Sequence, residues 1–188
     1  SGGVGTPNHL AAELFKTAAK IDIHHVPYKG IGPSNLAQLA GEVQLSVPGL
    51  FTVLQQVRAG KLRLRKVGKT ATFHDPCQLV RRGGAIEAPR EVLQALGVEL
   101  REMYPTKGAN WCCGGGGGVV AIHRADELRH KVFKIKMEQI EETGAELPVT
   151  SCANCRQTFD DGQAHFKWDK TMHSLLELVA DNLVEDEP

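Results

Sequence analysis

Five cysteines carry the most chemistry in this sequence: Cys77, the adjacent pair Cys112 and Cys113, and Cys152 with Cys155 in a Cys-x-x-Cys arrangement. Thirty-four residues separate the first from the pair, and thirty-eight separate the pair from the last two. An adjacent pair cannot readily turn both sulfurs onto one tetrahedral zinc ion, whose ligands usually come as chelating pairs. Five thiolates that include such a pair suit a polynuclear iron-sulfur centre, on which neighbouring cysteines can reach different irons. Zinc is the alternative occupant, because Cys-x-x-Cys with one or two further thiols also completes a tetrahedral site.

Gly114 to Gly118 follow the pair directly. Without Cβ atoms they can take positive φ and bring backbone N–H groups close to sulfur or to an incoming substrate. Around these thiols, His74 in "HDPC" is a candidate donor to the centre or a loop cap. Arg81 and Arg82 would draw an anionic substrate or cover surface, and His123 and Arg124 open the next helix. Trp111 and Trp168 are read as packing residues.

The elements that must position the thiols follow from periodicity. A strand over Lys69–Asp75 leads to Cys77, and a helix over Pro89–Leu96 and a strand over Gly97–Met103 lead to the Cys/Gly loop. A long amphipathic helix over His123–Thr143 follows, with Leu128, Val132, Ile135 and Ile140 as its apolar face and Gly144 as its stop. A strand over Ala145–Cys152 delivers the Cys-x-x-Cys, a short helix starts near Asn154, residues 160–170 read as a loop, and a last helix spans Thr171–Leu183. Each cysteine group therefore follows a strand or precedes a helix, the edge of an α/β sheet at which ligands bind. Helix N-termini at that edge favour anions, lowering thiol pKa and assisting metal ligation.

The amino-terminal part alternates in the same way: helices over Asn8–Ala19, Pro33–Ala40 and Thr52–Ala59, and strands over Ile21–Val26, Glu42–Val47 and Lys61–Val67. The expected fold is thus α/β in two small units, residues 1–68 and 69–188. Charge and cysteine usage mark the seam. Residues 1–68 hold eight Lys or Arg against three Asp or Glu and no cysteine, while residues 69–188 hold fourteen against nineteen and all five cysteines. The whole chain of 188 residues is formally neutral, which speaks against nucleic acid or an anionic membrane as partner. No apolar run reaches spanning length. An odd cysteine count and no signal-like apolar segment place the thiols in the cytoplasm as metal ligands. The acidic residues Asp160, Asp161, Asp169 and the tail "EDEP" read as a solvated face.

"HDPCQLVRRGG", "WCCGGGGG" and "TSCANCRQTFDDG" together resemble the CCG cysteine-rich domain of heterodisulfide reductase and its relatives, over about residues 69–188. The stretches "FHDPCQLVRRGGA" and "HFKWDK" with "SLLELVADNL" are most similar to the heterodisulfide-reductase-like K subunit associated with sulfite reduction, a menaquinol oxidoreductase iron-sulfur subunit. The resemblance implies an oxidoreductase with a noncubane [4Fe-4S] cluster held by Cys77, Cys112, Cys113, Cys152 and Cys155, at which a disulfide or related sulfur species is reductively cleaved. Such family members also carry ferredoxin-like cysteine motifs ahead of this region, which are not found here. The resemblance therefore implies electron-donating iron-sulfur or membrane quinol-oxidising subunits as partners. It also implies a thiol or disulfide substrate or small sulfur-carrier protein, and a seat peripheral to a membrane complex.

"GTPNHLAAELF" and "VPYKG" resemble the Bug-type solute receptors of tripartite tricarboxylate transport, over about residues 2–67. That resemblance implies part of a two-lobed receptor whose "GTPNH" helix start helps bind a carboxylate. A helix N-terminus behind glycines is a ready anion site, with Gly5, Thr6 and His9 as its candidates. The alternative function is then a carboxylate-binding receptor fragment fused to a zinc-binding or silent cysteine-rich domain.

Overall fold

The structure is a computed structural model and describes residues 1–45 and 50–184. The end of the strand expected over Glu42–Val47 and the acidic tail 185–188 lie outside the described residues. The described chain divides into two compact units, Ser1–Gln55 and Gln56–Pro188.

The first unit is built on helices. α1 (Pro7–Ala19) starts where Thr6 accepts a hydrogen bond from the His9 amide, with Pro7 in the first turn and Lys20 closing the helix in the left-handed region. α2 (Ile31–Leu39) follows Gly30, and α3 (Leu50–Arg58) runs across the division between the units. The strand expected over residues 21–26 does not form. Tyr28 and Gly30 give their amides to Ser1 and Gly2, and the amino terminus bonds Val26 O at 2.9 Å, a pairing too short to make a ladder. Strands are therefore confined to the second unit among the described residues, and the α/β character of the chain rests there.

The second unit is a four-stranded, all-parallel sheet in the order β2-β1-β3-β4, from β1 (Thr70–His74), β2 (Glu99–Leu100), β3 (Leu147–Thr150) and β4 (His173–Ser174). Parallel neighbours need crossovers, which α4 (Ala88–Ala95), α5 (Asp126–Glu142) and α6 (Ala153–Phe166) help to supply, and α7 (Leu175–Asp181) closes the unit. β1 and β3 are buried along nearly their whole length, as parallel strands covered on both faces must be. The expected strand over Lys61–Val67 appears as one antiparallel bridge, Leu64 to Leu183, with flanking backbone bonds from Arg65 to Asn182 and from Val184 to Arg63. These bonds tie residues 63–65 into the second unit, so the division falls ahead of the change in composition near residue 68.

Two expectations about the helices are corrected. The buried stripe of α5 is Arg129, Phe133, Lys136 and Ile140, whereas Leu128 and Ile135 are exposed at 63% and 40%. The stripe is rotated because aromatic packing fixes it. Phe133 meets Phe159 edge-on at 5.4 Å and Trp168 at 5.8 Å, and stacks on Phe166 at 5.9 Å. The expected loop over 160–170 is instead helical to Phe166, because Gly162 lets α6 lie directly against the Phe133 ring. A Cβ at Gly162 would stand 2.3 Å from that ring.

Gly162→Ala is therefore expected to destabilise the second unit by about 1–3 kcal/mol through overpacking, seen as a lower melting temperature with helix content retained.

Candidate metal centre

β1 and β3 lie side by side in register, His74 opposite Thr150, with Thr150 Oγ1 donating to His74 O at 3.2 Å. The two strands therefore end at one level, and the chain beyond them delivers Cys77 and Cys152 to the same edge of the sheet. Cys77 leads into a single wide helical turn, Gln78–Arg82, and Cys152 is the cap of α6. Cys112 and Cys113 lie on the loop between β2 and α5. The Sγ atoms of Cys113 and Cys155 approach to 3.3 Å, and both residues are buried. Cys112 hydrogen-bonds to Cys113 and feels the charge of Cys77, while Cys152 hydrogen-bonds to Cys155. All five cysteines are free, and Cys77, Cys112 and Cys152 are half-buried.

One charge-dense knot holds these loops. Asp75, fully buried and two residues ahead of Cys77, takes a two-pronged contact from Arg90 of α4, Nη1 to Oδ1 and Nη2 to Oδ2, both at 2.9 Å. Arg90 Nε reaches Glu102 at 2.6 Å and Nη1 also donates to Ile86 O. The backbone amide of Lys107 completes Asp75 at 2.8 Å. The Arg90 guanidinium is held well above its ordinary pKa by Asp75 and Glu102, although burial opposes this. Arg81 adds a brace from the turn after Cys77, donating to Gly108 O at 2.8 Å and Asn110 O at 2.6 Å. The "RR" pair thus contributes Arg81 to the approach of the Cys112 loop, and Arg82 bonds Gln78.

The glycine run is shaped by neighbours. Gly114, at φ +91°, donates its amide to Cys112 Sγ at 3.3 Å. Gly115 sits against Thr158, where a Cβ would fall 1.9 Å from the hydroxyl, and Asn154 Nδ2 holds Gly115 O at 2.9 Å. The first turn of α6 therefore carries both the Cys-x-x-Cys and the grip on the glycine loop.

Electrostatics make the cluster of thiols a place for negative charge. Cys113 is pulled far below the ordinary thiol range by hydrogen bonds from Cys112 and Cys155, with His74 assisting against burial. Cys112 and Cys155 are correspondingly pushed up, chiefly by their bonds to Cys113. Cys152 comes down to about 6, through its bond from Cys155 and the α6 amides of Cys155 and Asn154. His74 is buried and held below its ordinary pKa by desolvation, and its Nε2 has no hydrogen-bond partner of ordinary length. A His74 ring nitrogen and the sulfurs of Cys113 and Cys155 all lie within 4.8 Å of one another.

Asn110 and Lys136 were not among the residues singled out from sequence. Asn110 is buried; its Nδ2 donates to Asp75 O at 2.7 Å and lies 3.4 Å from His74 Nδ1, while its Oδ1 accepts from Lys136 Nζ at 2.8 Å. Desolvation draws the Lys136 ammonium down to about 8, against the charges of Asp75, Cys113, Cys112 and Cys77. The only trace of Lys136 in the sequence is its place at i+3 from Phe133 and i−4 from Ile140. Trp168 packs on Phe133 and donates to Glu141, while Trp111 is 42% exposed beside the thiols. His123 is almost wholly exposed, 3.6 Å from Asp126.

A soft, all-thiol set on three converging loops suits iron-sulfur or zinc occupancy. The unpartnered His74 Nε2 and the side-chain-free wall at Gly115 agree with a bound inorganic group at this edge.

In the first unit, Gly5, Thr6 and His9 do come together, and they satisfy one another: Gly5 N donates to His9 Nδ1 at 3.0 Å, and His9 N donates to Thr6 Oγ1 at 3.3 Å. A cavity of about 500 Å³ in this unit is lined by Asn8, Glu13, Lys16, Asp22 and His24 among others, and those three residues are not in its described lining.

Residues 71–160 match the family designated CCG, a cysteine-rich domain, and residues 1–74 match the tripartite tricarboxylate transporter family receptor, TctC. The chain therefore carries a CCG cysteine-rich domain within an α/β fold. Among its relatives is a subunit of the dihydromethanophenazine:CoB–CoM heterodisulfide reductase of Methanosarcina barkeri, 36% identical over 129 residues, 68% of this chain and 31% of that protein. A probable membrane-anchored ferredoxin of Chromohalobacter salexigens is 40% identical over 102 residues, 54% of this chain and 15% of that one. The Hdr-like menaquinol oxidoreductase iron-sulfur subunit 2 of Archaeoglobus fulgidus is 31% identical over 120 residues, 61% of this chain and 21% of that one. In its cysteine-rich part the chain is thus similar to heterodisulfide-reductase-like iron-sulfur oxidoreductases, and it spans about a third or less of the length of these relatives. No helix among the described residues is long and apolar enough to cross a membrane.

Arg90→Met should leave the Asp75 carboxylate buried without its counter-ion, at a cost of about 3–5 kcal/mol, and a urea melt should show a lower midpoint.

Proposed function

We propose that the second unit is the substrate-side redox domain of a heterodisulfide-reductase-like oxidoreductase, with a [4Fe-4S] centre, of the noncubane type, held by Cys77, Cys112, Cys113, Cys152 and Cys155. The observation that supports it best is the gathering of five free thiols from three loops at the carboxyl edge of one parallel sheet. When bound, such a centre supplies single electrons and a metal site for sulfur, fitted to cleaving a disulfide or related sulfur bond.

This chain's own residues would divide the work. Cys113 and Cys155 face the interior and fix the centre to the core, while the half-buried Cys77, Cys112 and Cys152 form its approachable side. The exposed Gly116–Gly118 backbone and Trp111 border that side and leave room for an incoming substrate. Gly114 N–H on Cys112 and the α6 amides on Cys152 stabilise thiolate over thiol. In this reading electrons would arrive from an electron-donating iron-sulfur or quinol-oxidising subunit, with the chain peripheral to a membrane complex on its cytoplasmic side. The sulfur substrate is a small disulfide or a sulfur-carrier protein.

The second reading is a mononuclear zinc site, favoured by the grouping of His74, Cys113 and Cys155 within 4.8 Å. In that reading the first unit would supply the function, as a carboxylate-binding receptor fragment acting through Gly5, Thr6 and His9. Their mutual hydrogen bonds leave fewer donors for such a ligand.

Anaerobic loading followed by metal and acid-labile sulfide analysis is expected to return about four iron and four sulfide per chain, whereas about one zinc and no sulfide would replace this reading with the second. Cys112→Ala and Cys113→Ala are each expected to lower iron content or alter the EPR spectrum of the oxidised protein. Unchanged iron and spectra in both variants would remove the assignment.

A further inference from the structure

Lys136 has no exposed surface at all. Its Nζ donates to Asn110 Oδ1 at 2.8 Å and lies 3.2 Å from Met103 Sδ, both neutral groups. Asp75, whose negative charge acts on it, spends its oxygens on Arg90 and on the Lys107 amide. An ammonium desolvated with only neutral contacts is costly unless an anion compensates it. Met103, on which Nζ rests, packs in the same buried cluster as Cys113 and Cys155, so the ammonium sits beside the thiol site. Cys113, drawn far below the ordinary thiol range, is the thiol whose charge acts on it most.

The seat of this cation is also fixed from the thiol loops. Asn110 stands two residues ahead of Cys112, and its Nδ2 is committed to Asp75 O, two residues ahead of Cys77. That commitment turns Oδ1 toward Lys136, so one amide registers the ammonium against both loops. Packing alone does not call for a lysine here. Met at position 136 would fill the same stripe between Phe133 and Ile140 without a charge to desolvate.

We infer that Lys136 is a built-in counter-cation for the thiolate-held centre, seated by Asn110 to stabilise negative charge there and to ease reduction of the bound group. The inference rests on the iron-sulfur reading above. A fixed positive charge in a water-excluded site favours the more negative redox state, and its removal shifts the balance toward the oxidised one.

The experiment is a reductive titration of the anaerobically loaded full chain, followed by EPR, on wild type, Lys136→Met and Asn110→Asp. Lys136→Met removes the charge, and Asn110→Asp cancels it with an adjacent carboxylate while keeping the side-chain shape. At the wild-type midpoint, each variant is expected to show an oxidised-to-reduced ratio raised about tenfold or more. The metal-free Lys136→Met chain is expected to match or exceed wild type in urea, because its buried charge is gone. Loaded variants that titrate at the wild-type midpoint would overturn the counter-cation role. So would a metal-free Lys136→Met chain that is destabilised while the Asn110→Asp midpoint is unmoved, since Lys136 would then serve packing. A wild-type chain that takes up no iron would overturn the iron-sulfur reading, and this inference with it.

Discussion

The thiol site hangs on a buried carboxylate. Asp75 can lie out of water without a heavy cost only while Arg90 and the Lys107 amide keep its oxygens bonded, and Arg90 in turn holds Glu102. Those contacts join the end of β1, helix α4 and the segment that leads to Cys112. None of the three can move alone without exposing an unpaired charge. The positions of Cys77 and the Cys112–Cys113 pair therefore follow from one ion pair rather than from the cysteines themselves.

Around that anchor the protein arranges positive potential toward sulfur from several directions. The Gly114 amide points at Cys112, the first amides of α6 point at Cys152, and the Lys136 ammonium lies within electrostatic reach of three thiols. His74 is held below its ordinary pKa by burial. The first unit shows the contrasting case. Its helix start has the glycine, threonine and histidine of an anion site, yet the side chains cap the helix themselves.

Much of this was legible from sequence where the signal is local. Thr6 and Pro7 announced the start of α1, and the apolar runs ending in "HDPC" and "VTSC" announced β1 and β3. The three cysteine groups also pointed to the sheet edge at which the structure places the thiols. Reading failed where a partner decided the outcome. The buried face of α5 turned away from Leu128 and Ile135 because Phe133 found three aromatic rings. Residues 160–166 joined α6 because a glycine that looks like a turn signal instead makes room for a ring. The expected strand over 21–26 met only Ser1 and Gly2 and made no ladder.

By itself, then, the sequence determined the number, type and spacing of the thiols, the flexible backbone beside them and the α/β class of the second unit, because these depend on covalent order and short-range periodicity. Tertiary structure alone decided which charged residues are buried with those thiols. Lys136, Asn110, Asp75 and Arg90 lie up to 61 residues apart along the chain. Their roles arise only when the sheet brings its loops together and water leaves, since a charge acquires a specific partner only where solvent no longer screens it.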